Sequence, residues 1–97
     1  MMKTLNQLLK HCANNGLTMV CYYDDPSEPD YKGTGQRSAK EALGACDEMR
    51  LIILDADGKR WGYAFIVNEV DQDPEEQIAD HSTNDRLDAW MKEGEDA

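Results

Sequence analysis

The run from Met49 to Val67 constrains the fold more than any other part of the chain. Two β-rich runs, Leu51–Leu54 and Trp61–Val67, flank the turn sequence Asp55-Ala56-Asp57-Gly58. Asp55 suits the first position of a type I turn, and Gly58 tolerates the left-handed conformation that closes a three-residue hairpin loop with a bulge. A two-residue Asp57-Gly58 turn is the competing register, and a slip of one residue would reverse the faces of the first strand. Along the second strand, alternation sends Trp61, Tyr63, Phe65 and Val67 to one side and Gly62, Ala64 and Ile66 to the other. The small stripe admits a closely packed helix. The aromatic stripe needs a cover, which makes Trp61, Tyr63 and Phe65 candidates for self-association.

The flanking sequence supplies elements to complete this hairpin. Thr4 and Gln7 form a capping-box pattern, and Leu5, Leu8, Leu9 and Cys12 recur at helical spacing, predicting a helix from Leu5 to Asn15 that stops at Gly16. Leu17–Tyr23 is β-branched and aromatic enough for a strand. The Pro, Gly, Ser and Asp composition of 24–36 predicts a mobile loop. Ser38 with Glu41 reads as a second capping box, followed by Ala39, Ala42, Leu43, Cys46 and Met49 at helical spacing. Gln77–His81 reads as a short edge strand. Ser82 with Asp85 then caps a last helix anchored by Leu87, Trp90 and Met91, and 93–97 should fray. The expected architecture is a single α+β domain, order α-β-α-β-β-(β)-α. Its three- or four-stranded, largely antiparallel sheet has helices packed mainly on the Gly62/Ala64 face. The direction of the first strand relative to the second is left open by the long loop.

Charge excludes several classes of function. Twenty acids against ten bases leave a formal charge of −10, which disfavours direct binding to nucleic acid or to an anionic membrane. No run reaches transmembrane length, and the first residues lack the apolar core of a signal peptide. Three cysteines, Cys12, Cys21 and Cys46, without close pairing predict reduced thiols in a cytosolic protein. The charge is uneven: residues 69–97 carry eleven acids against Arg86 and Lys92.

Motifs for catalysis or metal binding are thin. His11, Cys12, Cys21, Cys46 and His81 lack zinc-ligand spacing, so no metal is expected. Asp55-Ala56-Asp57-Gly58 fails as a calcium loop because Ile53 and Ala64 occupy positions that need acids. Asp80-His81-Ser82 holds three triad residue types side by side, yet a triad is assembled in space and not by adjacency. No catalytic residue and no cofactor is therefore expected. The loop Gly33–Ser38, with Lys32 and Arg37 beside it and a helix start after it, offers a phosphate or nucleotide site as one alternative. It matches neither the P-loop nor the dinucleotide fingerprint. The acidic last third is the other candidate, with Glu69, Asp71, Asp73, Glu75, Glu76, Asp85 and Asp88 as partner contacts. That density exceeds what solubility needs, and carboxylates fixed at phosphate-like spacing suit a basic groove.

The sequence Met49-Arg50-Leu51-Ile52-Ile53-Leu54-Asp55-Ala56-Asp57-Gly58-Lys59-Arg60-Trp61-Gly62, with Asp30–Thr34 before it and Ile78–Ser82 after it, resembles the small acidic accessory proteins of bacteriophages and prophages, anti-CRISPR and other anti-defence proteins among them. The resemblance lies in style, size and charge. It implies a non-enzymatic inhibitor, cytoplasmic in an infected or lysogenic bacterial host, whose acidic surface blocks a nucleic-acid-binding site on a defence complex. A dimeric structural or assembly protein is the remaining alternative.

Overall fold

The first helix, α1 (Leu5–Asn14), forms as its ends dictate. The Thr4 hydroxyl accepts from the Gln7 amide, and the Gln7 side chain accepts from the Thr4 amide, which satisfies two of the donors a helix start leaves open. At the other end Gly16 takes φ +66°, and the Leu17 amide turns back to the Cys12 carbonyl at 2.9 Å. This Schellman-type stop buries Leu17 against the helix it follows. The computed structural model describes residues 4–68 and 77–93.

Among the described residues seven further elements follow: β1 (Thr18–Tyr22), β2 (Tyr31–Gly33), α2 (Gln36–Leu43), β3 (Glu48–Leu54), β4 (Arg60–Val67), β5 (Ile78–His81) and α3 (Arg86–Glu93). The fold is α+β. Its five strands lie in the order β2-β1-β3-β4-β5, every neighbouring pair antiparallel. The extra strand, β2, lies inside the segment whose composition predicted a loop. A three-residue edge strand carries too little periodicity to announce itself, and its pairing of Tyr31 with Cys21 comes from β1.

The central hairpin adopts the three-residue register. Gly58 sits at φ +78°, and its amide donates to the Asp55 carbonyl at 2.9 Å. The Asp55 carboxylate accepts from the Asp57 and Lys59 amides, both at 2.9 Å. All three helices pack on the face that carries Met49, Leu51 and Ile53 of β3 and Gly62, Ala64 and Ile66 of β4. The floor role of Gly62 is literal, since a Cβ built there would lie 2.2 Å from the Leu87 Cβ of α3.

Three expectations are corrected. Trp61 does not join Tyr63 and Phe65. Ile53 pairs with Gly62 and Leu54 with Arg60, so Trp61 is an unpaired bulge residue, and the bulge re-aims its ring to the helix side. There Trp61 is buried, 5.5 Å from the His11 ring, and His11 lies 5.1 Å from Trp90 of α3. The second helix ends at Leu43 instead of running to the hairpin. Its cap is Gly35, with no side-chain cap from Ser38, and Cys46 is exposed in the turn that follows. For α3 the capping carboxylate is that of Asp85, which accepts from the Asp88 amide at 3.0 Å, while Ser82 Oγ accepts from the Tyr63 amide instead.

Candidate functional site

Antiparallel pairing sends three separate connections to one end of the sheet. The β1–β2 connection, the α2–β3 turn and the β4–β5 connection all leave from the end where β1 and β4 finish and β2, β3 and β5 begin. Backbone and side-chain hydrogen bonds tie them together. The Asn68 amide donates to the Asp47 carbonyl at 2.7 Å, and Asn68 Nδ2 donates to the Leu43 and Cys46 carbonyls at 2.7 and 2.9 Å. Gln77 Nε2 donates to Asn68 Oδ1 at 2.6 Å, so both flanks of the 69–76 segment are pinned beside Asp47. The Asp30 amide donates to the Cys21 carbonyl at 2.8 Å, and the Arg50 guanidinium donates to the Tyr23 carbonyl.

The charge at this end is extreme. Residues 24–30 carry Asp24, Asp25, Glu28 and Asp30, and residues 44–48 carry Asp47 and Glu48. These six acids have no base within their own segments, and Lys32 of β2 and Arg50 of β3 flank them. Asp24, Glu28, Asp30, Asp47 and Glu48 are exposed and form no ion pair among the described residues. The Asp25 carboxyl is held below its usual range by the Ser27 amide and then by the Ser27 hydroxyl, at 2.9 and 2.8 Å. Tyr23, more than half exposed, Ala45 and Cys46 line a shallow depression with Asp47 and Glu48. Elsewhere in the fold three acids are paired, Asp55 with Arg86 at 2.7 Å, Asp88 with Lys92 at 3.1 Å, and Glu41 with Arg37 at 3.7 Å, while Asp57, Asp80 and Asp85 form no ion pair among the described residues.

The predicted contacts therefore separate into two groups. Glu69, Asp71, Asp73, Glu75 and Glu76 lie outside the described residues. Asp85 and Asp88 are described, but they build α3 and do not present a free acidic surface. Asp85 is its cap, and Asp88 is buried, accepting from the Asn84 amide at 3.0 Å. Asp24, Asp25, Glu28, Asp30, Asp47 and Glu48 were not among the candidates. Their negative charge was readable in the sequence, but their meeting at one end depends on strand order.

The other candidates fall apart in space. Lys32 pairs with Val20 on the face without helices, whereas Arg37 stands on α2 with its side chain almost fully exposed. The Gly35 amide, the natural anion donor of that loop, already donates to the Tyr31 hydroxyl at 2.9 Å. In the Asp80-His81-Ser82 run, the His81 ring turns its Nδ1 toward the Ser82 carbonyl at 2.8 Å and Asp88 at 3.9 Å, away from any Ser82 Oγ contact. Burial pushes the Cys12 and Cys21 thiols up to about 12, with Cys12 also raised by Cys21 and Cys21 also raised by Asp30. Among the described residues no three His, Cys, Asp or Glu side chains group as metal ligands, and no helix is long and apolar enough to cross a membrane. No family model, no curated protein and no solved structure matches the chain.

Proposed function

We propose that this protein is a non-enzymatic binding protein whose acidic end occupies a basic, nucleic-acid-binding surface on a partner. It would inhibit that partner in the manner of the phage anti-defence proteins it resembles in size and charge. One observation carries the reading: Asp24, Asp25, Glu28, Asp30, Asp47 and Glu48 stand exposed at one end of the sheet with no ion pair among the described residues, in a chain of net charge −10. Carboxylates left without cations lower stability through mutual repulsion, so their concentration at one end calls for a reason outside the fold. A cationic groove supplies one, because it gains the attraction that the isolated protein lacks.

The test begins with capture from bacterial lysate at low salt, release at high salt, and measurement of association rates with the captured partner. Rates should fall steeply as the Debye length shrinks from about 30 Å at 0.01 M salt to about 8 Å at 0.15 M. Neutralising Asp24, Glu28, Asp30 and Asp47 together to Asn or Gln should slow association without lowering the melting temperature, since none of the four side chains makes a contact that holds the fold and their mutual repulsion is relieved. Added duplex DNA should compete with the protein for the same partner. Undiminished binding by the neutralised variant would sink the proposal, as would loss of binding on reversing Lys32 and Arg37.

A further inference from the structure

The depression at the acidic end holds more than charge. Among the described residues Tyr23 is the one large hydrophobic side chain that stands exposed, at 57%. It directly follows β1 and shares the depression with Ala45, Cys46 and Asp47 of the α2–β3 turn and with Glu48 of β3. The volume is about 520 Å³, within the roughly 300–1,000 Å³ of small-ligand sites. The backbone around it is held from several sides. The Arg50 guanidinium donates to the Tyr23 carbonyl, the Asp30 amide to the Cys21 carbonyl at 2.8 Å, and the Glu28 amide to the Asp25 carbonyl at 3.0 Å. Asn68 Nδ2 fixes the opposite wall through the Cys46 carbonyl at 2.9 Å. An aromatic ring on a fixed backbone, in a depression rimmed by polar groups, is how binding hot spots are built.

Resting on the reading that the acidic end faces a basic partner, we propose that this depression receives an arginine side chain of that partner, its guanidinium stacked on the Tyr23 ring and bonded to Asp47 or Glu48. Charge sets the sign of the occupant. Asp47 and Glu48 line the depression, exposed and in no ion pair among the described residues. Lys32 of β2, Lys40 of α2 and Arg50 of β3 flank this end, and none of the three lines the depression. Arg50 is also engaged elsewhere, by the Tyr23 carbonyl and by the Phe65 ring, whose centre lies 5.4 Å from its guanidinium. The wall chemistry then decides between the two cationic side chains. A lysine ammonium is a strongly hydrated point charge and gains little in a shallow, wet depression. A guanidinium is planar and weakly hydrated. It lays its face on an aromatic ring while its edge gives a carboxylate two parallel hydrogen bonds.

Octa-arginine and octa-lysine peptides carry equal charge and separate selection of arginine from plain attraction. Titrated at about 10 mM salt, the intact protein should bind both, octa-arginine about fivefold or more the tighter. Amide NMR shifts caused by octa-arginine should centre on residues 23 and 45–48. Tyr23→Ala should weaken octa-arginine about fivefold and change octa-lysine by less than about twofold. Tyr23→Phe, which keeps the ring, should bind both peptides as the wild type does. Asp47→Asn with Glu48→Gln should remove most of the arginine preference that Tyr23→Ala leaves. All three positions are exposed, and circular dichroism checks the fold of each variant. Equal wild-type affinity for the two peptides, or full arginine preference in Tyr23→Ala, overturns the arginine site and leaves the acidic end as a surface for cations. Binding of neither peptide overturns the arginine site and the acidic-end reading together.

Discussion

Replacing Gly62 with Ala isolates the contact on which the placement of α3 depends. The added Cβ would meet Leu87 Cβ at 2.2 Å, Cδ2 at 2.8 Å and Cγ at 3.0 Å. A rotamer change moves Cγ and Cδ2, but Cβ is fixed to the helix backbone, so α3 must retreat by more than about 1 Å to reach ordinary van der Waals distance. Overpacking of this kind costs about 1–3 kcal/mol. The upper end matches the roughly 1.5–3 kcal/mol gained by burying one leucine, which is what full release of Leu87 would forfeit. For a domain of this size each kcal/mol shifts melting by about 4–8 °C, so a fall of about 5–20 °C is expected in a circular-dichroism melt. A double-mutant cycle sharpens the test. In a Leu87→Ala background the Cβ remains and Gly62→Ala keeps its cost; in a Leu87→Gly background it should add almost nothing. A Gly62→Ala melt within about 2 °C of wild type would refute the packing argument.

Two further predictions follow from titratable groups. Only Cys46 is exposed, while burial holds the Cys12 and Cys21 thiols up to about 12; one thiol should therefore react rapidly with a disulfide reagent at neutral pH and two only on unfolding. Two fast thiols, or a fast thiol that survives Cys46→Ser, would contradict the burial described. Arg86 first, then the Lys59 amide, holds the Asp55 carboxyl below its usual range; the Asn84 amide first, then Lys92, does the same for Asp88. A carboxyl whose folded pKa is depressed contributes its stabilisation in full above its unfolded value near 3.8, and loses it as pH falls through the folded value. Acid should therefore loosen α3 below about pH 4, read by fluorescence of Trp61 and Trp90, and Asp55→Asn with Asp88→Asn should flatten that transition. A transition unmoved in the double variant would place its cause elsewhere.

Local chemistry was legible wherever a few neighbouring residues decide the outcome. Thr4 with Gln7, Gly16 with Leu17, and Asp55 with Gly58 each complete their hydrogen bonds within a handful of positions, so the α1 boundaries and the place of the hairpin turn follow from the sequence, while the choice between its two registers came with the structure. The same holds for the small stripe, because alternation alone places Gly62 and Ala64 together. Local reading failed where two signals competed. Cys46 and Met49 fit a continued helical spacing from Ala39, but β1 offers Met49 and its neighbours a full strand to pair with, and α2 stops at Leu43. Trp61 likewise fits the aromatic alternation until the bulge, a property of the pairing with β3, turns it inward.

The acidic charge shows the same division at larger scale. Composition determines that the chain carries −10, and the sequence places most of it in the last third. Which carboxylates stand together is a different question. Asp24 and Asp47 are far apart along the chain, and each lies in a connection that an antiparallel sheet sends to the same end. Asp85 and Asp88 sit in the acidic third by sequence, but helix capping and a buried network claim them. Backbone hydrogen-bond geometry makes strand direction alternate, and strand order then determines which loops meet. The charges themselves are set residue by residue; their meeting at one end is decided only by tertiary pairing.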